Sequence, residues 1–261
     1  MTEAVVAAQW HGKCLVLRLN RPHAGNAIDR EVAEALGAQL GTCTGDSVPR
    51  SLIITGTGPR YFCTGGDVKA YARLVSAEEL NAVFGLMRDV CDALEALPCP
   101  VIAAINGFAV GGGMEMALAC DIRIAEASAQ LGFPQARLGI LPGWDGTQRL
   151  VDAVGRSAAA RLLFSGNRVN AQQAREIGLI DEVVPDGTVL ASALDLAATF
   201  AEVAPLSLSA IKRSLKDACT APAAQARSEA RECFARLWFT EDHAEAERAF
   251  AEKRQPNFSG R

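Results

Sequence analysis

The first two thirds of the chain alternate between short, densely apolar runs and longer stretches with helical spacing. Runs at 5–9 and 14–19 flank His11-Gly12-Lys13 and predict a hairpin of two strands. A loop rich in Pro, Gly and Asn follows at 20–26, and Asp29 then caps a predicted helix to about residue 40 with Val32, Leu36 and Leu40 on one face. Residues 51–55 read as a strand closed by Gly56, and 58–66, GPRYFCTGG, as a glycine-bearing loop. From Leu80 to Leu97 apolar residues recur at steps of three and four, a long amphipathic helix stopped by Pro98 and Pro100.

The centre of the chain is residues 100–121, PVIAAINGFAVGGGMEMALACD. Its continuous apolar run at 101–105 has the pattern of a strand buried on both faces. Gly107 and then Gly111, Gly112 and Gly113 precede a predicted helix over 114–120, which can start at the glycines. Strands are expected at 122–125 and near 129–132, while 134–146 holds too much Gly and Pro for regular structure. Helices are predicted at 147–154, 157–164 and 171–177, with short extended pieces between them. Beyond Pro185 only helical patterns remain, at 189–200, 207–218, 224–238 and 242–252. Strand-strand-helix units recur loosely, without a fixed period.

Composition narrows the class. The 261 residues suffice for one large domain, or one plus a small appendage, and 49% hydrophobic with 21% charged residues suits a globular protein. A net charge of -4 without any basic block argues against a nucleic-acid surface, so anionic ligands must be held by local Lys or Arg. Eight scattered cysteines, none in a C-x-x-C pair, read as free thiols of a reducing compartment. No 18-residue apolar run occurs, and the start, with Glu3, lacks a signal pattern; the expectation is a cytoplasmic protein without a membrane partner.

A strand, a glycine turn and a helix start can serve several chemistries. Gly111-x-Gly113 lacks the third glycine of a dinucleotide fingerprint, and no acidic residue follows at the required distance. There is no phosphate loop and no G-x-S-x-G elbow, and three histidines far apart in sequence make a metal site improbable, so none is assigned. Two readings remain for the glycines, tight packing or an oxyanion hole. In the second, backbone N–H groups from Gly65-Gly66 and Gly111-Gly112-Gly113 together hold a thioester oxygen as it gains charge. Glu115 on the first helical turn is then either a proton carrier or a carboxylate favoured by the helix dipole.

The chain resembles the crotonase (enoyl-CoA hydratase/isomerase) superfamily over essentially its whole length. The resemblance is carried by Asn20-Arg21-Pro22, by Phe62-Cys63-Thr64-Gly65-Gly66-Asp67-Val68-Lys69 and by Asn106 through Glu115. It continues in Asp121, Phe133-Pro134, Leu138-Gly139, the run Pro142-Gly143 to Thr147-Gln148-Arg149-Leu150, and the C-terminal Thr240-Glu241-Asp242, Glu252-Lys253-Arg254 and Asn257-Phe258. It implies an α/β fold, a spiral core of ββα units over 1–187 and a helical oligomerisation region over 188–261 that builds homotrimers or dimers of trimers. It also implies an acyl-CoA thioester substrate, with coenzyme A as part of that substrate and no separate cofactor. The oxyanion donors are then the N–H groups of Gly66 and Gly112, and Glu115 falls on the first of two hydratase glutamates. His23, Ala24 and Gly25, with Thr64, Asp67 and Val68, are implied to contact the pantetheine and adenine portions. Pro134 and Trp144 join the substrate-contacting positions, and Phe234 and Lys253 reach a neighbouring subunit's ligand.

The departure is at the second glutamate, where this chain has Gln135. An amide can hold water but cannot take its proton near neutral pH. The expectation is therefore an enzyme of the enoyl-CoA hydratase/isomerase type in which Glu115 is the acid/base and Gln135 a polar positioner. The alternatives are an enoyl-CoA isomerase or acyl-CoA decarboxylase, which need one proton shuttle, or a catalytically weak acyl-CoA-binding protein. Asp145 reads as the cap of the helix starting near Gly146, ahead of a role as relocated carboxylate. Trp144 reads as narrowing the acyl pocket or packing in the core, and Cys63 as a packing residue.

Overall fold

The computed structural model describes residues 4–261; Glu3 lies outside them. The hairpin forms as expected, β1 (Val6–His11) antiparallel to β2 (Cys14–Leu19). In α1 (Arg30–Gly41) the Asp29 carboxylate accepts the Val32 N–H at 3.0 Å, one donor that the helix start leaves without an internal partner. Then come β3 (Ser51–Gly56), β4 (Tyr61–Cys63), α2 (Val68–Tyr71) and the long α3 (Ala77–Ala96). The central stretch folds into β5 (Val101–Ile105), β6 (Phe108–Val110) and α4 (Gly112–Leu118), so the helix does start at the glycines. β7 (Ile122–Glu126), β8 (Gln130–Gly132), α5 (Gly146–Ser165), β9 (Arg168–Asn170), α6 (Ala171–Glu176) and β10 (Glu182–Val184) complete the mixed part. The rest is helical: α7 (Val189–Ala201), α8 (Pro205–Thr220), α9 (Ala223–Trp238) and α10 (Glu241–Glu252).

Three details differ from the sequence reading. The loop 58–66 contains β4, and β6 follows Gly107; a three-residue strand is too short to display a period of two. Residues Pro134–Leu138 form a 3-10 turn in the stretch read as irregular. Leu80, assigned to an apolar face, is 44% exposed near the start of α3.

Two sheets result, a six-stranded one ordered β1-β2-β3-β5-β7-β10 and a four-stranded one ordered β4-β6-β8-β9. Each consecutive pair, β3/β4, β5/β6 and β7/β8, gives its first strand to the larger sheet and its second to the smaller, so the chain winds as a spiral. Alternation along β2 explains the unbroken apolar runs. Cys14 and Val16 join Ile53, Ile102 and Ile124 against Val189, Ala193 and Ala197 of α7, while Leu15, Leu17 and Leu19 enter the main core on the other face. α8 and α9 bury no residue in the single chain and carry exposed Leu215, Phe234 and Trp238. Among the described residues no single helix is long and apolar enough to cross a membrane.

β4, β6 and β8 run parallel, so their carboxyl ends lie side by side. The segments leaving them, beginning at Thr64, Gly111 and Phe133, therefore emerge at one edge of the small sheet, the place where parallel strands present ligand-binding loops. Two buried amides tie the β3–β4 turn at the other, amino end of β4. Asn26 donates to the carbonyls of Tyr61 (2.7 Å) and Thr57 (3.1 Å), and Asn106 donates to Gly58 O (2.6 Å) while accepting from Gly56 N (3.0 Å).

Candidate functional site

The loops after β4 and β6 meet through glycine. Gly65 has φ +89°, and a Cβ there would stand 2.8 Å from the Gly112 nitrogen, so only a residue without one lets the two main chains approach this closely. The loop is held by Ile28 N–H donating to Gly65 O and Asp67 N–H donating to Ile28 O, both at 2.8 Å. Those bonds leave out the Gly66 N–H, and Gly112, as the first residue of α4, has no intrahelical acceptor. Among the described residues neither N–H donates to any protein group. Each of these glycines also faces a ring: a Cβ on Gly66 would strike Tyr71 at 2.2 Å, and one on Gly112 the Trp144 indole at 2.3 Å.

Glu115 sits one turn into α4, 2% exposed, with a four-donor cradle around its carboxylate. Oε1 accepts from Gln135 Nε2 (2.9 Å) and Gly143 N (3.3 Å), and Oε2 from Trp144 N (2.8 Å) and Gly146 N (3.0 Å). Burial pushes its pKa above the ordinary carboxylate value, and the donors, led by Trp144 N–H, offset only part of that rise. The loop keeps this shape partly because a Cβ on Gly146 would lie 2.4 Å from Glu115 Cγ, and partly because Arg149 donates to Trp144 O at 2.6 Å. Arg149 is itself paired with Glu95 and with Asp92 (2.8 Å).

Gln135, the second residue of the 3-10 turn after β8, is 6% exposed. Its Nε2 is spent on Glu115, and its Oε1 is buried without a hydrogen-bond partner among the described residues. Pro134 opens the same turn and presets its backbone. Trp144, 2% exposed, packs in the core as one of its two readings had it, with its indole standing against Gly112. Phe84, against Gly143 and 5.1 Å from the Tyr71 ring, continues that wall. Tyr71, Phe84 and the Gly143 and Gly146 amides are the members that sequence reasoning missed; the glycines flanking Trp144 were the available signal.

Asp145 corrects an expectation. Its backbone is left-handed (φ 62°, ψ 24°) and its side chain makes no capping bond to α5. It is exposed and lines an outer cavity of about 430 Å³ with Arg149, Lys212 and Lys216, because a capping side chain needs an extended backbone to reach the second or third N–H of its helix and Asp145 is left-handed. Cys63 is a packing residue: burial pushes its thiol up to about 12.

The remaining residues from the sequence occupy two regions. His23 is exposed in the 3-10 turn Pro22–Ala24, and Gly25 accepts both Thr64 N–H (3.1 Å) and Thr64 Oγ1–H (3.2 Å), which joins the two loops implied to hold coenzyme A. Asp67 caps α2 and receives Arg21 at 3.2 Å; burial opposes ionisation, but the Ala70 N–H and Arg21 hold its carboxyl below the usual range. Val68 is exposed beside it. Phe234, far along in α9, stacks on Trp238 at 5.6 Å, and Lys253 ends α10 in a left-handed conformation.

Comparison with known proteins gives this geometry a setting. The family model described as Enoyl-CoA hydratase/isomerase matches residues 11–261. The chain is 38% identical to 2,3-dehydroadipyl-CoA hydratase of Escherichia coli (strain K12) over 261 residues, 100% of both chains. It is 35% identical to mitochondrial methylglutaconyl-CoA hydratase of Mus musculus over 94% of this chain and 79% of that one. A crystal structure of enoyl-CoA hydratase from Bacillus anthracis superposes with a TM-score of 0.95 at 33% identity, over 98% of this chain and 100% of the other. By that span of sequence and fold together, the chain belongs to the enoyl-CoA hydratase/isomerase family.

Proposed function

We propose that the protein acts on acyl-CoA thioesters by stabilising an enolate, with the Gly66 and Gly112 N–H groups as oxyanion donors and Glu115 as the acid/base. The observation that carries this is the buried Glu115 carboxylate one turn beyond a Gly112 N–H that has no acceptor among the described residues. Polarising the thioester carbonyl makes the neighbouring C–H acidic, and a donor of this kind elsewhere contributes about 3 kcal/mol to the barrier. The start of α4 adds its positive end to the same field. His23, Ala24, Gly25, Thr64, Asp67 and Val68 bind the coenzyme A portion, and Pro134 and Trp144 border the acyl group. Phe234 and Lys253 serve the site of a neighbouring copy in a trimer or a pair of trimers, which the unburied apolar faces of α8 and α9 support. A second reading, double-bond isomerisation or decarboxylation, is favoured by Gln135, since an amide takes no proton.

Incubation with crotonyl-CoA, a 3-enoyl-CoA and methylmalonyl-CoA, with products read by mass spectrometry, separates hydration, isomerisation and decarboxylation. Conversion of none of them, with acyl-CoA binding intact, would leave only the binding-protein alternative. The pH profile is an independent check. Glu115 must be ionised to take a proton, and burial raises its pKa, so the acid limb of kcat/KM is expected above the ordinary glutamate value of about 4.3. A limb at or below that value would remove Glu115 from the role of base.

A further inference from the structure

We propose that Gln135 holds the attacking water, so that this enzyme hydrates 2-enoyl thioesters with Glu115 as its single proton carrier. The inference rests on the enolate chemistry above and adds the reaction it serves. Its basis is the division of labour within one amide. Nε2 donates to Glu115 Oε1 at 2.9 Å, which fixes the side chain, and Oε1 is left as a buried acceptor with no partner among the described residues, next to the carboxylate. An orphaned acceptor in a 6% exposed side chain is unfavourable in the resting protein unless a donor meets it there. The Asp145 side chain, which lines the outer cavity instead, supplies no second carboxylate.

Water suits that place. One O–H donates to Gln135 Oε1 and the other to Glu115 Oε1, the oxygen whose second bond, from Gly143 N, is the longest of the cradle at 3.3 Å. With both hydrogens engaged, a lone pair of the water faces C3 of a 2-enoyl group whose carbonyl oxygen lies at Gly66 and Gly112. The water oxygen bonds to C3, the C2=C3 π pair moves to the thioester oxygen, and the water proton passes to Glu115. The enolate then collapses and C2 takes that proton back from Glu115, giving a 3-hydroxyacyl thioester with every atom of water accounted for. Gln135 accepts a hydrogen bond throughout and never a proton, so an amide suffices.

The test compares two reactions of the purified full-length protein. Hydration of crotonyl-CoA needs the water; exchange of the C2 hydrogen of butyryl-CoA with D₂O needs only Glu115 and the oxyanion donors. Gln135→Met, which keeps the length but removes both the Oε1 acceptor and the Nε2–H bond to Glu115, is expected to lower kcat for hydration about 10- to 100-fold further than it lowers exchange. The butyryl-CoA exchange rate should fall at least about tenfold less than hydration, because exchange loses only the Nε2–H bond to Glu115 whereas hydration also loses the held water. Gln135→Glu restores an acceptor at the same place and is expected to hydrate within about tenfold of the unaltered protein, which also covers a Met variant that fails to fold. Undiminished hydration by Gln135→Met overturns the proposal, as does a parallel loss of exchange, which would make Gln135 only a prop for Glu115. Exchange without any hydration in the unaltered protein also overturns it while leaving the enolate chemistry standing. Absence of exchange would sink the enolate reading itself.

Discussion

Glu115→Gln is expected to lower turnover of any accepted acyl-CoA by at least about 100-fold while acyl-CoA still binds. The reason is local: the Glu115 carboxylate lies one turn beyond Gly112 and bonds Gln135 at 2.9 Å, and an amide cannot carry a proton. The variant should fold. Its Oε1 can take the Trp144 and Gly146 N–H groups, and its amide nitrogen can face Gln135, which turns over to offer Oε1. The Gly143 N–H and the turned Gln135 Nε2 then lack protein partners, each at a cost of about 1–3 kcal/mol. The pH dependence of stability gives a second readout. With its pKa raised in the fold, Glu115 holds a proton that the unfolded chain releases at lower pH, so stability declines as pH climbs from the ordinary carboxylate value through the raised one. Glu115→Gln should lack that decline, measured as the difference between the two melting-temperature profiles. Turnover within tenfold of the unaltered protein would reassign the acid/base.

The reach of the sequence follows from what each feature depends on. Helices such as α1 and α3 and the buried strand β5 were legible because period and apolar continuity are properties of the segment itself. Gly155, with φ +74° and ψ 162°, is non-helical and breaks α5 between the two helices read at 147–154 and 157–164, so that reading also follows from the segment itself. β4 and β6 escaped for want of length, yet their carboxyl ends deliver Gly66 and Gly112. The candidate acid Glu115 and the amide Gln135 could be named in advance, because position relative to glycines and a residue-type change are visible in the chain. Their 2.9 Å contact, the orphaned Oε1 and the main-chain cradle from Gly143, Trp144 and Gly146 were not, since they join segments about 20–30 residues apart through the parallel pairing of the small sheet. Asp145 failed for a related reason: capping preference assumes an extended backbone at the cap position, whereas the fold holds Asp145 left-handed, φ 62°.

Gly113→Ala is expected to be among the most damaging single-atom additions to this chain. A Cβ at Gly113 would lie 2.2 Å from the Cys63 carbonyl oxygen and 2.8 Å from its carbon, and main chain at the end of β4 cannot rotate out of the way as a side chain can. α4 must then move away from β4, which carries Gly112 away from Gly66 and Glu115 out of its cradle. Overpacking of this kind costs about 1–3 kcal/mol, a fall in melting temperature of roughly 2–12 °C for a chain of this size. A displacement near 1 Å at a reacting centre can cost about 100-fold in rate, so activity should suffer beyond the fraction unfolded. Gly85→Ala is the control, because that glycine lies inside α3 with nothing within 4 Å of an added Cβ. Removing a helix glycine there should stabilise the protein by about 0.5–1 kcal/mol and leave turnover unchanged. If Gly113→Ala melts like the unaltered protein and keeps its rate, the close approach of α4 to β4 is not what holds the two N–H donors together.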